Sequence, residues 1–148
     1  MIAINNPGPQ IDASRIAELE AAIGARLPVS YKDFLLKNNG GRPVPDTIDI
    51  DRLPGSPTDI QQFFGIGQDV ETSNLSWNIK LVSERLPDHR LFPIACDSGG
   101  NIFCMSVLGE FSGDIVYCDL TGSEPVKSYE VAPTFKAFLE KIRTWGDA

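Results

Sequence analysis

Apolar residues recur along this chain with two periods, and the change of period separates helical stretches from extended ones. Between Leu27 and Gly41, the residues Tyr31, Phe34, Leu35 and Asn38 fall at i, i+3, i+4 and i+7, the spacing of one helix face turned to a core. Ser30 with Asp33 fits a capping box and Pro28 fits the first helical position. Asn39, Gly40 and Gly41 tolerate a left-handed backbone and stop the helix. Upstream, Asp12 is a suitable N-cap for a helix carrying Ile16, Leu19 and Ile23 on one side and ended by Gly24. A third helix is expected from 73 to 86, with Leu75, Ile79, Val82 and Leu86 in period and Pro87 closing it. A last one opens at Pro133 and carries Phe135, Phe138, Leu139 and Ile142 on its face, with Lys141 and Arg143 placed to complement its dipole.

Extended segments lie between these helices. TIDID at 47–51 and IQQFFGI at 60–66 predict short strands around a turn at Pro54, Gly55, Ser56 and Pro57. LFPIAC, NIFCMSVL and DIVYCDL, joined by DSGG and GEFSG, are the strongest strand pattern, and VKSYEV adds one more. Several of these runs are apolar at successive positions, so they are expected to be central strands covered on part of both faces. Residues 1–11, with Asn5, Asn6, Pro7, Gly8 and Pro9, predict a flexible lead-in, leaving 12–148 as one domain. Consecutive strands without βαβ alternation predict an α+β fold, a largely antiparallel sheet packed with about four α-helices.

Length supports one domain with a real core: 148 residues, 42% of them hydrophobic. The formal charge of −7 and a pI near 4.6 set the average surface against nucleic-acid phosphates and in favour of a basic protein partner. No signal peptide or membrane span is expected from MIAINNPGPQ. Cys96, Cys104 and Cys118 form an odd set without close pair spacing, which suits a reducing cytoplasm better than a disulfide framework.

Candidate chemistry is sparse. The lone histidine, His89, lies in the polar connection PDHR and is expected to be a solvent-exposed linker residue; with no second histidine the multi-histidine zinc sets cannot form. Each cysteine has apolar neighbours, and no Lys or Arg occurs between Arg90 and Lys127 to favour a thiolate, so all three are expected to be small buried hydrophobes. GIGQD and DSGGN lack the third glycine or the Lys–Ser/Thr pair of nucleotide-binding loops. No metal, cofactor or catalytic residue is therefore predicted. Charge distribution stands out instead. From Asp46 to Glu71 there are six acids against one base, Arg52, and from Leu91 to Val126 five acids and no base. Such stretches either keep an acidic protein soluble or form a face whose negative field steers a basic partner.

The segment LPVSYKDFLLKNNGG resembles the signature helix of the SUKH superfamily, which includes bacterial immunity proteins and fungal cell-wall assembly regulators. The likeness continues in order: LE at 19–20 before LP at 27–28, then FPIACDSGGNIFCMSV, GDIVYCDL and YEVAPTFKAFLEKI. Pro133 and Thr134 stand between Ala132 and Phe135, where that family usually has a single small polar residue. For a bacterial chain the resemblance implies a non-enzymatic immunity protein that binds a cognate polymorphic toxin, often a nuclease. The other branch implies a regulatory scaffold of the cell-wall type. Combined with the charge pattern, it makes Asp46, Asp49, Asp51, Asp59 and Asp69 the expected partner-binding residues, with Phe63 and Phe64 as apolar anchors.

Overall fold

The computed structural model describes residues 2–87, 90–107, 113–122 and 124–146. Among the described residues, four helices and nine strands follow one another as β1 (Ala3–Asn5), α1 (Ala13–Ile23), α2 (Val29–Asn38), β2 (Arg42–Val44), β3 (Thr47–Ile48), β4 (Thr58–Asp59), β5 (Gln62–Phe63), α3 (Leu75–Arg85), β6 (Leu91–Cys96), β7 (Ile102–Ser106), β8 (Ile115–Asp119), β9 (Lys127–Ala132) and α4 (Phe135–Lys141), with a 3₁₀ turn over Glu71–Ser73. The fold is α+β, and every strand pair is antiparallel.

β5 to β9 form one sheet in chain order, a meander that hairpin turns can build directly. Across it, Phe63, Ala95, Phe103, Tyr117 and Tyr129 stand in a single cross-strand row. Period-two alternation puts their side chains on one face, where α2 and α4 cover them. Phe138 meets Phe103 at 5.5 Å and Phe63 at 6.3 Å between ring centroids, while Phe135 meets Tyr31 at 5.1 Å and Phe34 at 5.2 Å. Ile102, Cys104 and Cys118 alternate with that row and are buried as well, so the central strands are covered on both faces as their apolar runs predicted. α3 lies along β6, and its Arg85 reaches the Leu120 carbonyl.

Helix ends largely follow the sequence. Asp12 caps α1 by accepting from the Arg15 N–H, and Gly24 ends it in the left-handed region. At α2 the expected Ser30–Asp33 capping box does not form. Pro28 occupies the cap position with no side-chain bond, and its carbonyl accepts from the Tyr31 and Lys32 N–H groups.

The N-terminal lead-in also departs from expectation. Ala3–Asn5 pairs with Arg42–Val44, so part of residues 1–11 is a strand. A three-residue strand has too little apolar pattern to be seen locally, and it exists because a partner strand meets it.

Asn39 explains how these distant segments are held. Its left-handed backbone (φ 49°) turns the buried side chain away from the helix it ends. Nδ2 donates to the Pro9 carbonyl (2.8 Å) and the Ile66 carbonyl (2.7 Å), while Oδ1 accepts from the Ile66 N–H (2.8 Å). Its own carbonyl accepts from Gly8 N–H (3.1 Å) and Gln68 Nε2 (2.8 Å). A Cβ at Gly8 or Gly65 would fall 2.3 or 2.4 Å from that carbonyl oxygen, so both positions need glycine. Replacing Asn39 by Ala strands several buried backbone groups and keeps a strained backbone, and should lower unfolding stability by about 3 kcal/mol or more in urea titration. An unchanged midpoint would show that this residue does not hold the segments together.

Candidate partner-binding surface

From Asp46 to Asp51 the chain alternates between core and solvent. Ile48 and Ile50 are buried while Asp46, Asp49 and Asp51 are exposed, and Ile60 is buried on the return. The connection after β3 is pinned by the Ile50 N–H donating to Ser56 Oγ (2.9 Å). Its start is tied to the C-terminal segment, since Thr47 and Arg143 exchange backbone bonds of 3.0 and 2.8 Å.

The five aspartates singled out by sequence have different roles. Asp49 receives a two-pronged bond from Arg143, Nε to Oδ2 at 2.7 Å and Nη2 to Oδ1 at 2.9 Å. That bond holds the Asp49 carboxyl below the usual carboxylate range. Asp59 accepts from the Ser98 N–H at 2.9 Å and from the Ser98 hydroxyl, so it fastens β4 to the β6–β7 turn. Asp46, Asp51 and Asp69 are exposed and make no ion pair among the described residues.

Asp51 shares a depression of about 350 Å³ with Asp114, Glu130, Val131, Ala132 and Pro133, at one end of β9. Asp69 is not part of it. It lines a separate groove with Arg42, Pro7, Pro9, Val70 and Ser73, beside β1, β2 and β5. The acidic run of 46–69 is thus divided between two regions of the surface. Asp114 and Glu130 were missed as partners of Asp51 because they lie in other segments, which only the sheet brings to one place.

Phe63 and Phe64 are corrected outright: at 0 and 2% exposure they are core residues, and neither can anchor a partner. The sequence predicted only a short strand here, with no sign of what flanks it. Yet Gly41 exchanges bonds of 3.2 and 2.7 Å with Phe63 on one side, while β6 pairs with it on the other. The exposed large apolar residues are elsewhere, among them Val29, Val70 and Trp145.

Other candidate chemistry resolves into structure. Asp97 of the DSGGN turn is buried, and its carboxylate accepts from the Gly99 and Asn101 N–H groups, the Thr58 hydroxyl (2.9 Å) and the Tyr117 hydroxyl (2.6 Å). Asn101 Oδ1 accepts from the Leu120 N–H at 2.9 Å. These oxygens are committed to bracing the β6–β7 turn against β4 and β8. Among the described residues, no group of three or more His, Cys, Asp or Glu is arranged to hold a metal ion. His89 lies outside the described residues. Cys104 and Cys118 are buried free thiols on neighbouring strands, and burial with nearby Asp97 and Asp59 pushes the half-buried Cys96 up to about 11.

The fold places the molecule among small α+β domains. The profile of the SMI1 / KNR4 family (SUKH-1) matches residues 10–141, and the chain belongs to that family, which includes toxin immunity proteins. It is similar to the SPbeta prophage-derived uncharacterized protein YokK of Bacillus subtilis (strain 168), with 30% identity over 148 residues covering 88% of this chain and 74% of that protein. Among the described residues, no helix is long and apolar enough to cross a membrane.

Two outcomes are expected. Because the folded-state pKa of Asp49 is depressed, its pair with Arg143 contributes stability above the unfolded carboxylate pKa and loses it as pH falls through the folded value. Arg143→Gln should therefore raise the Asp49 pKa in a carboxylate NMR titration, and an unmoved titration would remove the pair from the pH dependence. Thiol labelling of the native chain at mildly alkaline pH should be slow at all three cysteines and rapid after unfolding. Fast native labelling of any one would mean that its thiolate is accessible.

Proposed function

We propose that this chain is a non-enzymatic immunity protein that binds a cognate polymorphic toxin, a nuclease, and neutralises it through an acidic surface. The observation that carries the reading is the gathering of Asp51, Asp114 and Glu130 around one depression that no Lys or Arg among the described residues lines, in a family that includes immunity proteins. A nuclease toxin holds phosphates in a basic cleft, so a negative surface steers encounter with it and repels nucleic acid itself. Asp46, exposed in the same segment as Asp51, adds to this negative field, while Asp69 lines the separate groove beside β1, β2 and β5. Asp49 is held by Arg143, and Asp59 is committed to Ser98 of the β6–β7 turn. In this reading the chain acts in the cytoplasm, makes and breaks no bonds, and needs no cofactor.

Co-expression with the product of the adjacent gene tests this directly: cells that are killed by that product alone should survive. Changing Asp51, Asp114 and Glu130 together to Lys should slow association with the toxin about tenfold or more at low salt, with the difference shrinking as salt rises. Failure to rescue would overturn the immunity reading, and rescue with an unaltered on-rate would remove this surface. Capture of a host cell-wall regulator in place of a toxin would move the chain to the scaffold branch of its family.

A further inference from the structure

We propose that the outer edge of β9 is a docking strand for an extended, lysine- or arginine-bearing segment of a protein partner, whose cation enters the depression between Asp51, Asp114 and Glu130. This deepens the binding role and rests on the partner being a protein. β9 is the last strand of the five-stranded sheet, and among the described residues nothing pairs with its outer side. The other end of the sheet is closed, because Gly41 bonds to Phe63 there.

The phase of the hydrogen bonds shows which groups the open edge presents. The Asp97 N–H donates to the Asn101 carbonyl and the Ser106 N–H to the Asp114 carbonyl. Alternation along antiparallel ladders then turns Cys104 and Ile102 toward β8, and turns Tyr117 and Asp119 toward β9, where they face Tyr129 and Lys127. Ser128 and Glu130 are left with N–H and C=O directed outward. The Val131 carbonyl, at the bulge beyond them, is already taken by Lys141 Nζ (2.8 Å), which marks where pairing would stop. A groove lined by Asp51, Arg52, Ser128, Tyr129 and Glu130 runs along this stretch.

The depression at the bulged end supplies selectivity. Val131, Ala132 and Pro133 give it an apolar wall, and the three carboxylates do not converge closely enough to share a metal ion. A long alkyl stem carrying a cation fits both properties, the stem on the apolar wall and the charge among the acids. Main-chain bonds would supply affinity and the basic side chain the register.

The test uses the full, isotopically labelled chain and a short synthetic peptide alternating lysine with threonine. Titration should shift the Ser128 and Glu130 amides and slow their hydrogen exchange. Asp51→Lys or Glu130→Lys should weaken binding about tenfold, and a peptide with glutamate in place of lysine should not bind. Ser128→Pro removes an outward N–H while leaving every charge, and should weaken binding at least as much; if that variant does not fold, N-methylation of alternate peptide residues provides the same test. Absence of shifts on β9 at millimolar peptide, equal binding of the glutamate peptide, shifts centred on the groove of Arg42 and Asp69, or sedimentation as a dimer joined at β9 would each overturn the proposal. Toxin rescue is a separate readout. Rescue without β9 engagement defeats this inference alone, and β9 engagement without rescue defeats the immunity reading alone.

Discussion

The architecture depends on the amide of Asn39. A buried side chain with both donor and acceptor capacity is costly unless each group is met, and here the Pro9 and Ile66 backbones meet them from two different directions. The cost of the left-handed backbone is offset because only that conformation ends α2 while aiming the amide between the two segments. With that junction made, the β1–β2 ribbon lies against β5, Gly41 bridges to Phe63, and the sheet is closed at one end. The aromatic row on the sheet then has α2 and α4 in place to cover it.

Asp97 performs the same operation at the opposite corner. Its four accepted bonds draw the β6–β7 turn, β4 and Tyr117 together, while burial and the bond to that carboxylate push the Tyr117 hydroxyl toward remaining protonated. Two polar hubs flanking an apolar centre specify one register, because a slip by one residue would orphan buried groups at both ends.

How much of this was visible in the sequence follows from the range of each interaction. The helices and the central strands were legible because Ile16, Leu75, Val82, Phe135 and Phe138 carry their period within a few residues. The NNGG stop was legible as well, but its purpose was not, since Asn39's partners lie 30 and 27 positions away. Phe63 and Phe64 were misread as surface anchors because a short strand between glycine-rich segments gives no local sign that Gly41 and β6 flank it. The acidic surface was half legible. Counting charges along the chain found Asp51, but strand pairing, and not sequence proximity, sets Glu130 and Asp114 beside it.

Among the described residues, exposed Asp51 and Glu130 make no side-chain hydrogen bond, whereas Asn39 and Asp97 are committed to the interior. Support and display are thereby carried by disjoint sets of atoms. Exchanging residues on the display set changes stability by only about half a kcal/mol, so the same body can be re-addressed to a different ligand by few substitutions without crossing the threshold at which it unfolds.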